Sequence, residues 1–101
     1  MYAYTFIRRD LTIQQQLVQA CHSALEAGSE FKKAGNIPNL ILLDAKDEEH
    51  LNEIGTYLDT HEIRYHKFYE PDYNVGHSSI TTEPLCAVKK KKLSNFKMWR
   101  A

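Results

Sequence analysis

The chain has 101 residues, 43% of them hydrophobic and 26% charged, which suits one small globular domain and excludes a two-domain enzyme. Its 13 basic residues balance 13 acidic ones, and that neutrality argues against duplex DNA as a ligand, since such binding rests on many phosphate neutralisations. No apolar run reaches the roughly 20 residues that span a bilayer, and two cysteines, Cys21 and Cys86, match neither a disulfide framework nor a zinc motif. The expectation is a cytoplasmic protein, away from membranes, with reduced thiols.

Tyr2 to Arg8 is aromatic and β-branched on alternate positions, which predicts a strand covered on both faces. Thr12 precedes Gln15 by three positions, the spacing of a capping box at a helix start. Along that helix Ile13, Leu17, Ala20, Cys21, Ala24, Leu25 and Ala27 fall in one arc, predicted to pack on a sheet, with Gln15, Gln19, His22 and Glu26 opposite. Gly28, Gly35 and Pro38 punctuate the way to Leu40–Leu43, an apolar run that predicts a central strand buried between helices. Asp47, Glu48 and Glu49 favour the N-terminus of a second helix, which has Leu51, Ile54, Gly55 and Leu58 as its core face and ends near His61. Ile63 to Tyr69 reads as a third strand, Glu70 to Gly76 as a turn, Ser78 to Thr82 as a fourth strand, and Ala87 to Phe96 as a last helix. The order predicts an α/β domain over residues 1–101, a three-layer sandwich with a four-stranded, mostly parallel mixed sheet between helices.

Ligands of such sheets bind outside the carboxyl ends of the strands. There the sequence places Arg8, Arg9 and Asp10, then Asp44, then Tyr69, Glu70 and Asp72, beside Gln15, Gln19 and His22 of the first helix. The His22 imidazole suits proton transfer at neutral pH, Gln19 can hold a carbonyl or phosphoryl oxygen, and Asp72 can orient His22 or a water. Arg8 and Arg9 offer guanidinium forks for phosphate, while Tyr69 and Tyr73 offer faces on which a base can stack. His61, His66 and His77 have spacings that fit no tight ligand motif, so neither a metal nor another cofactor is expected. A histidine pair acting as acid and base on a phosphodiester needs none. Lys89 to Lys92, Lys97 and Arg100 follow Pro84 with no acid among them, leaving residues 1–84 net acidic. That basic segment reads equally as a solvated face or as a contact for a phosphate chain.

The strand end Arg9-Asp10-Leu11, the helix segment Gln19-Ala20-Cys21-His22-Ser23-Ala24, and Glu70-Pro71-Asp72 followed by Gly76 and Ser79-Ile80-Thr81-Thr82 up to Pro84 together resemble the type 2 peptidyl-tRNA hydrolase family. The match covers about three quarters of the chain in order. It implies a metal-independent enzyme that cleaves the ester between a peptide and the tRNA ribose, with Gln19, His22 and Asp72 at the matching catalytic positions. Ser78, Ser79 and Thr81 are the candidates for the family's threonine after its acidic loop, and His77 and Thr81 are expected to contact substrate. The chain departs from the family in lacking its Gly-Lys pair, where Gln14, Gln15 and Gln16 stand, and in a shortened loop after Asp72. Two alternatives therefore stay open. One is a phosphodiesterase of a small or cyclic nucleotide, and the other a protein that sequesters a nucleotide or RNA without turnover. A phage origin would suit so compact a version, and a homodimer is also open.

Overall fold

The computed structural model describes residues 1–32 and 36–101; the expected turn at Gly35 lies outside them. Strand β1 (Tyr2–Arg8) leads to helix α1 (Ile13–Glu30), strand β2 (Asn39–Ala45), helix α2 (Glu48–Thr60) and strand β3 (Tyr65–Glu70). A short 3₁₀ turn (Asp72–Asn74), strand β4 (Gly76–Thr82), the four-residue helix α3 (Ala87–Lys90) and a second 3₁₀ turn (Lys91–Leu93) follow. Both long helices start as their caps dictate. The Thr12 hydroxyl accepts from the Gln15 amide at 3.1 Å and the Gln15 side chain accepts from the Thr12 amide at 3.1 Å, while Asp47 accepts from the His50 amide at 2.8 Å.

The sheet is four-stranded and mixed, in the order β2-β1-β4-β3. Only β1 and β2 pair parallel; β4 is antiparallel to both neighbours. The expectation of a mostly parallel sheet is thus corrected: the short connection from β3 to β4 makes a hairpin, and β4 lies between β1 and β3. β2 is likewise not central. It lies at the end of the strand order, with Leu40 exposed, and its outer edge is met by the C-terminal segment. There the Asp44 amide donates to Lys97 O at 2.8 Å and the Trp99 amide to Leu42 O at 3.0 Å. The predicted last helix stops at Lys90 for that reason, because residues 97–99 are extended against a strand.

The main core joins Tyr4, Phe6, Leu43 and Ile80 of the sheet to Leu51, Ile54 and Leu58 of α2, closed by Ile63, Leu85 and Leu93. The other side chains of β1 and β4 meet α1, and that contact is polar. Gln16, Gln19, Ala20, Ser23 and Ala27 are the buried residues of α1, whereas Ile13, Leu17, Cys21 and Leu25, expected to pack on the sheet, are exposed. The reason is hydrogen bonding. The hydroxyls of Thr5, Ser79 and Thr81 point at the helix, and only a polar face satisfies them. The Ser23 hydroxyl lies 2.8 Å from that of Thr81, itself 2.7 Å from that of Thr5, and Ser79 donates to Gln19 O at 3.2 Å.

Phe96 of the C-terminal segment packs edge-to-face on Phe6, with 5.0 Å between ring centroids. Phe6→Ala should lower stability by about 3–5 kcal/mol. A double-mutant cycle with Phe96→Ala in urea denaturation should show coupling of about 0.5–1.5 kcal/mol; additive effects would mean that the segment is not docked there.

Candidate functional site

β1, β2 and β3 all point the same way, so their carboxyl ends share one edge of the sheet with the start of β4. A bulge between Phe68 and Tyr69 shifts the register with β4, letting two successive residues, Ser78 and Ser79, both reach Gln19. Gln19 is 4% exposed. Its carbonyl accepts from the Ser78 hydroxyl at 2.7 Å and its amide donates to the Glu70 carboxylate at 3.1 Å. One side chain of α1 is thereby pinned to β3 and β4 at the expected edge. Glu70 and Ser78, which complete this cluster, were named in the sequence reading without being tied to Gln19; only the bulge joins them.

The turn beyond Glu70 is bent by left-handed backbone at Tyr73, Asn74 and Gly76. Gly76 is required there on two counts, since a Cβ would also meet the Glu48 carboxylate. That carboxylate accepts from the His77 amide at 2.8 Å. Asp72 is exposed at the start of the turn, with its carbonyl accepting from the Val75 amide at 3.2 Å, and Tyr73 is 88% exposed. A tyrosine in left-handed conformation and open to solvent costs on the order of 1 kcal/mol, and such positions concentrate at functional sites.

The remaining predicted residues take separate positions. His22 is exposed, its ring 5.0 Å from that of Phe68, one turn along α1 from Gln19; among the described residues no hydrogen bond or ion pair joins it to Asp72. Gln15 is occupied in the helix cap. Arg8 is 8% exposed and its fork turns inward: Nε and Nη2 donate to Asp10 at 2.9 and 2.7 Å, and Nη1 to the carbonyls of Val75 and His77. It clamps the end of β1 to the start of β4 and holds the Asp10 carboxyl below the usual carboxylate range. Arg9 pairs with Asp44 at 3.2 Å and lies over the Trp99 ring. Tyr69 is exposed and meets His77 edge-to-face at 5.1 Å. Thr81 is buried in the polar contact under α1. His66 faces Glu26 and Glu30, while His61 stacks on Tyr57; no group of three metal-ligating side chains occurs among the described residues.

Charge sets the character of the edge. Asp10, Asp44, Asp47, Glu48, Glu49, Glu70 and Asp72 gather at or next to it, against Arg8, Arg9, Lys46 and Lys97, of which the two arginines are engaged by carboxylates. The lysine run lies at the other end of the sheet, where Lys90 sits over the Tyr2 ring and Lys89 donates to Glu62 O at 2.8 Å. The candidate site thus carries an excess of negative charge. No helix among the described residues is long and apolar enough to cross a membrane. Neither family models nor curated protein sequences match this chain.

His77 is also shifted by this environment. Its Nδ1 is buried without a hydrogen-bond partner, and burial, helped by the Lys67 ammonium and opposed by Glu48, pushes the imidazole below its ordinary value. The fold therefore favours the neutral ring. The stability this contributes is complete above pH ~6.5 and is lost as pH falls through the folded-state value. Denaturation midpoints should thus fall on acidification below about pH 6.5, and His77→Gln should remove that component while leaving the steeper loss in strong acid, where Asp10 protonates. An unchanged profile in His77→Gln would show that the ring is not buried in the neutral form.

Proposed function

We propose that this chain is a small metal-independent hydrolase of the type 2 peptidyl-tRNA hydrolase kind, built on a three-layer α/β sandwich, which cleaves an ester in a small nucleotide-containing substrate. The observation that supports this reading best is the Gln19 cluster, with its side chain bonded to Ser78 and Glu70 at the carboxyl edge, where the resemblance puts the family's helix glutamine beside its acidic loop and final strand. In this reading Gln19 fixes the position of the reacting carbonyl and Asp72 activates a water from the rim. His22 exchanges protons with solvent, and Tyr69 and Tyr73 hold the base. The acidic edge limits the substrate: a whole tRNA or a phosphodiester at the reacting position brings its charge against carboxylates, whereas an ester carbonyl does not.

A second reading, sequestration of a nucleotide without turnover, draws on a different observation. The Arg8 fork and the Gln19 amide are both already engaged within the chain, which suits a rigid binding surface better than groups that must follow a reaction. Peptidyl-tRNA, small aminoacyl-nucleotide esters and cyclic nucleotides should each be incubated with the protein and the products chromatographed. Hydrolysis of the small esters is expected, with a shallow salt dependence that persists when Lys89 to Lys92 are neutralised. Asp72→Asn should slow turnover by on the order of 10²-fold or more without loss of folding, because Asp72 is exposed. Binding without any product would replace the enzyme with the sequestering protein, and a steep salt slope abolished by neutralising the lysines would return tRNA as the ligand.

A further inference from the structure

The last residues of the chain reach the start of α1. Trp99, the single tryptophan, donates its indole Nε1–H to Gln16 Oε1 at 2.7 Å. Gln16 is 3% exposed, and its own amide donates to Leu11 O, also at 2.7 Å. That second bond is local, so it joins the helix start to its own loop and not to the sheet. The indole makes the link to the sheet. Trp99 is itself fixed on β2: its backbone amide donates to Leu42 O at 3.0 Å, and the Asp44 amide donates to Lys97 O at 2.8 Å. Arg9 lies over its ring, 5.1 Å from guanidinium carbon to centroid, and is held by Asp44 at 3.2 Å. Phe96 anchors the segment between Phe6 and Tyr57.

We infer that Trp99 is a positioning residue of the candidate site, which holds Gln19 in place through Gln16; its effect on turnover rests on the hydrolase reading. Gln19 stands three residues, about 4.5 Å, further along α1, and both glutamines are buried toward the sheet. They are tied to opposite sides of it. In the strand order β2-β1-β4-β3, Gln16 is joined to the segment on β2 at one edge, and Gln19 to Ser78 of β4 and to Glu70 at the end of β3, the other edge. Hydrogen bonds are directional and weaken steeply when bent, so a helix seated on hydroxyls and amides keeps them only while its roll is fixed. Apolar packing does not fix it here, because Ile13 and Leu17 of the same turns are exposed. Without the indole donor, Gln16 Oε1 is left buried and unpartnered. It regains a partner when the first turns of α1 move outward to water, and Gln19 then travels with them, away from Ser78 and Glu70. For a reaction whose carbonyl is placed by Gln19, that is a loss of orientation and not of affinity.

The test uses the whole chain. Trp99→Phe removes the N–H and keeps an aromatic ring beneath Arg9, while Trp99→His returns an N–H at the ring position of the indole nitrogen. With nitrogen-15 in the glutamine side chains, solvent exchange of the Gln19 amide protons should rise on the order of 10-fold in Trp99→Phe. It should return toward the wild-type rate in Trp99→His at pH ~8, where the ring is neutral. Backbone exchange in α2 should stay unchanged, which shows the fold intact. On a small aminoacyl-nucleotide ester, kcat should fall on the order of 10-fold in Trp99→Phe with KM within about twofold, and recover in Trp99→His. Gln16→Met should be at least as slow, and adding Trp99→Phe to it should slow it no further. A merely structural tryptophan would lower the denaturation midpoint and leave Gln19 exchange and kcat of the folded protein alone. That outcome overturns the inference, as does Trp99→His no better than Trp99→Phe, or a double variant slower than Gln16→Met. If the wild type hydrolyses no ester, the hydrolase reading falls and Gln19 exchange alone decides the role of Trp99. Hydrolysis with Gln19 unmoved in Trp99→Phe removes that role and leaves the hydrolase.

Discussion

The rotation of α1 about its own axis is set by hydroxyl groups. Thr5, Ser79 and Thr81 stand on the sheet face beneath the helix, buried from water, and each needs a hydrogen-bonding partner; an unsatisfied buried hydroxyl costs about 1–3 kcal/mol. Ser23 and the backbone of Gln19 supply those partners, and the Gln19 side chain takes up Ser78 as well. Two consequences follow from this one contact. It draws Gln19 down to Glu70 at the carboxyl edge, and it turns the leucines of α1 away from the sheet. Site and surface are both products of the same satisfied polar layer.

This explains what the sequence did and did not disclose. Local signals were legible: the Thr12–Gln15 box, the acidic start of α2 at Asp47 to Glu49, the alternation of β1 and the Leu51-Ile54-Leu58 face of α2 all correspond to what forms. The face of α1 was not, because hydrophobic periodicity assumes an apolar sheet surface, and the hydroxyls that make it polar come from strands far away in sequence. Strand order escaped for a related reason. Each connection is local, but insertion of β4 between β1 and β3 is decided by pairing across the whole chain. The extended run at Lys97 to Trp99 is stabilised by the free edge of β2 and has no periodic signature of its own.

The candidate site shows the same division. Its residue types were readable from the strand ends, yet their engagement was not. Arg8 looks like an anion-binding fork in sequence and is in fact a clamp, since the start of β4 brings two carbonyls to it. His22 and Asp72, linked by motif order, share no hydrogen bond among the described residues, while Gln19, Glu70 and Ser78 are joined by a one-residue bulge. Carboxylates outnumber cations at the edge, which gives it a negative potential.

The opposite placement of those carboxylates and of the Lys89–Lys92 run has a consequence for encounter. A chain of zero formal net charge with four lysines at one end of the sheet and seven carboxylates at or next to the other carries a dipole, tempered by Glu62 and Glu83 beside the lysines, and a dipole is turned by a field even when it is not pulled by it.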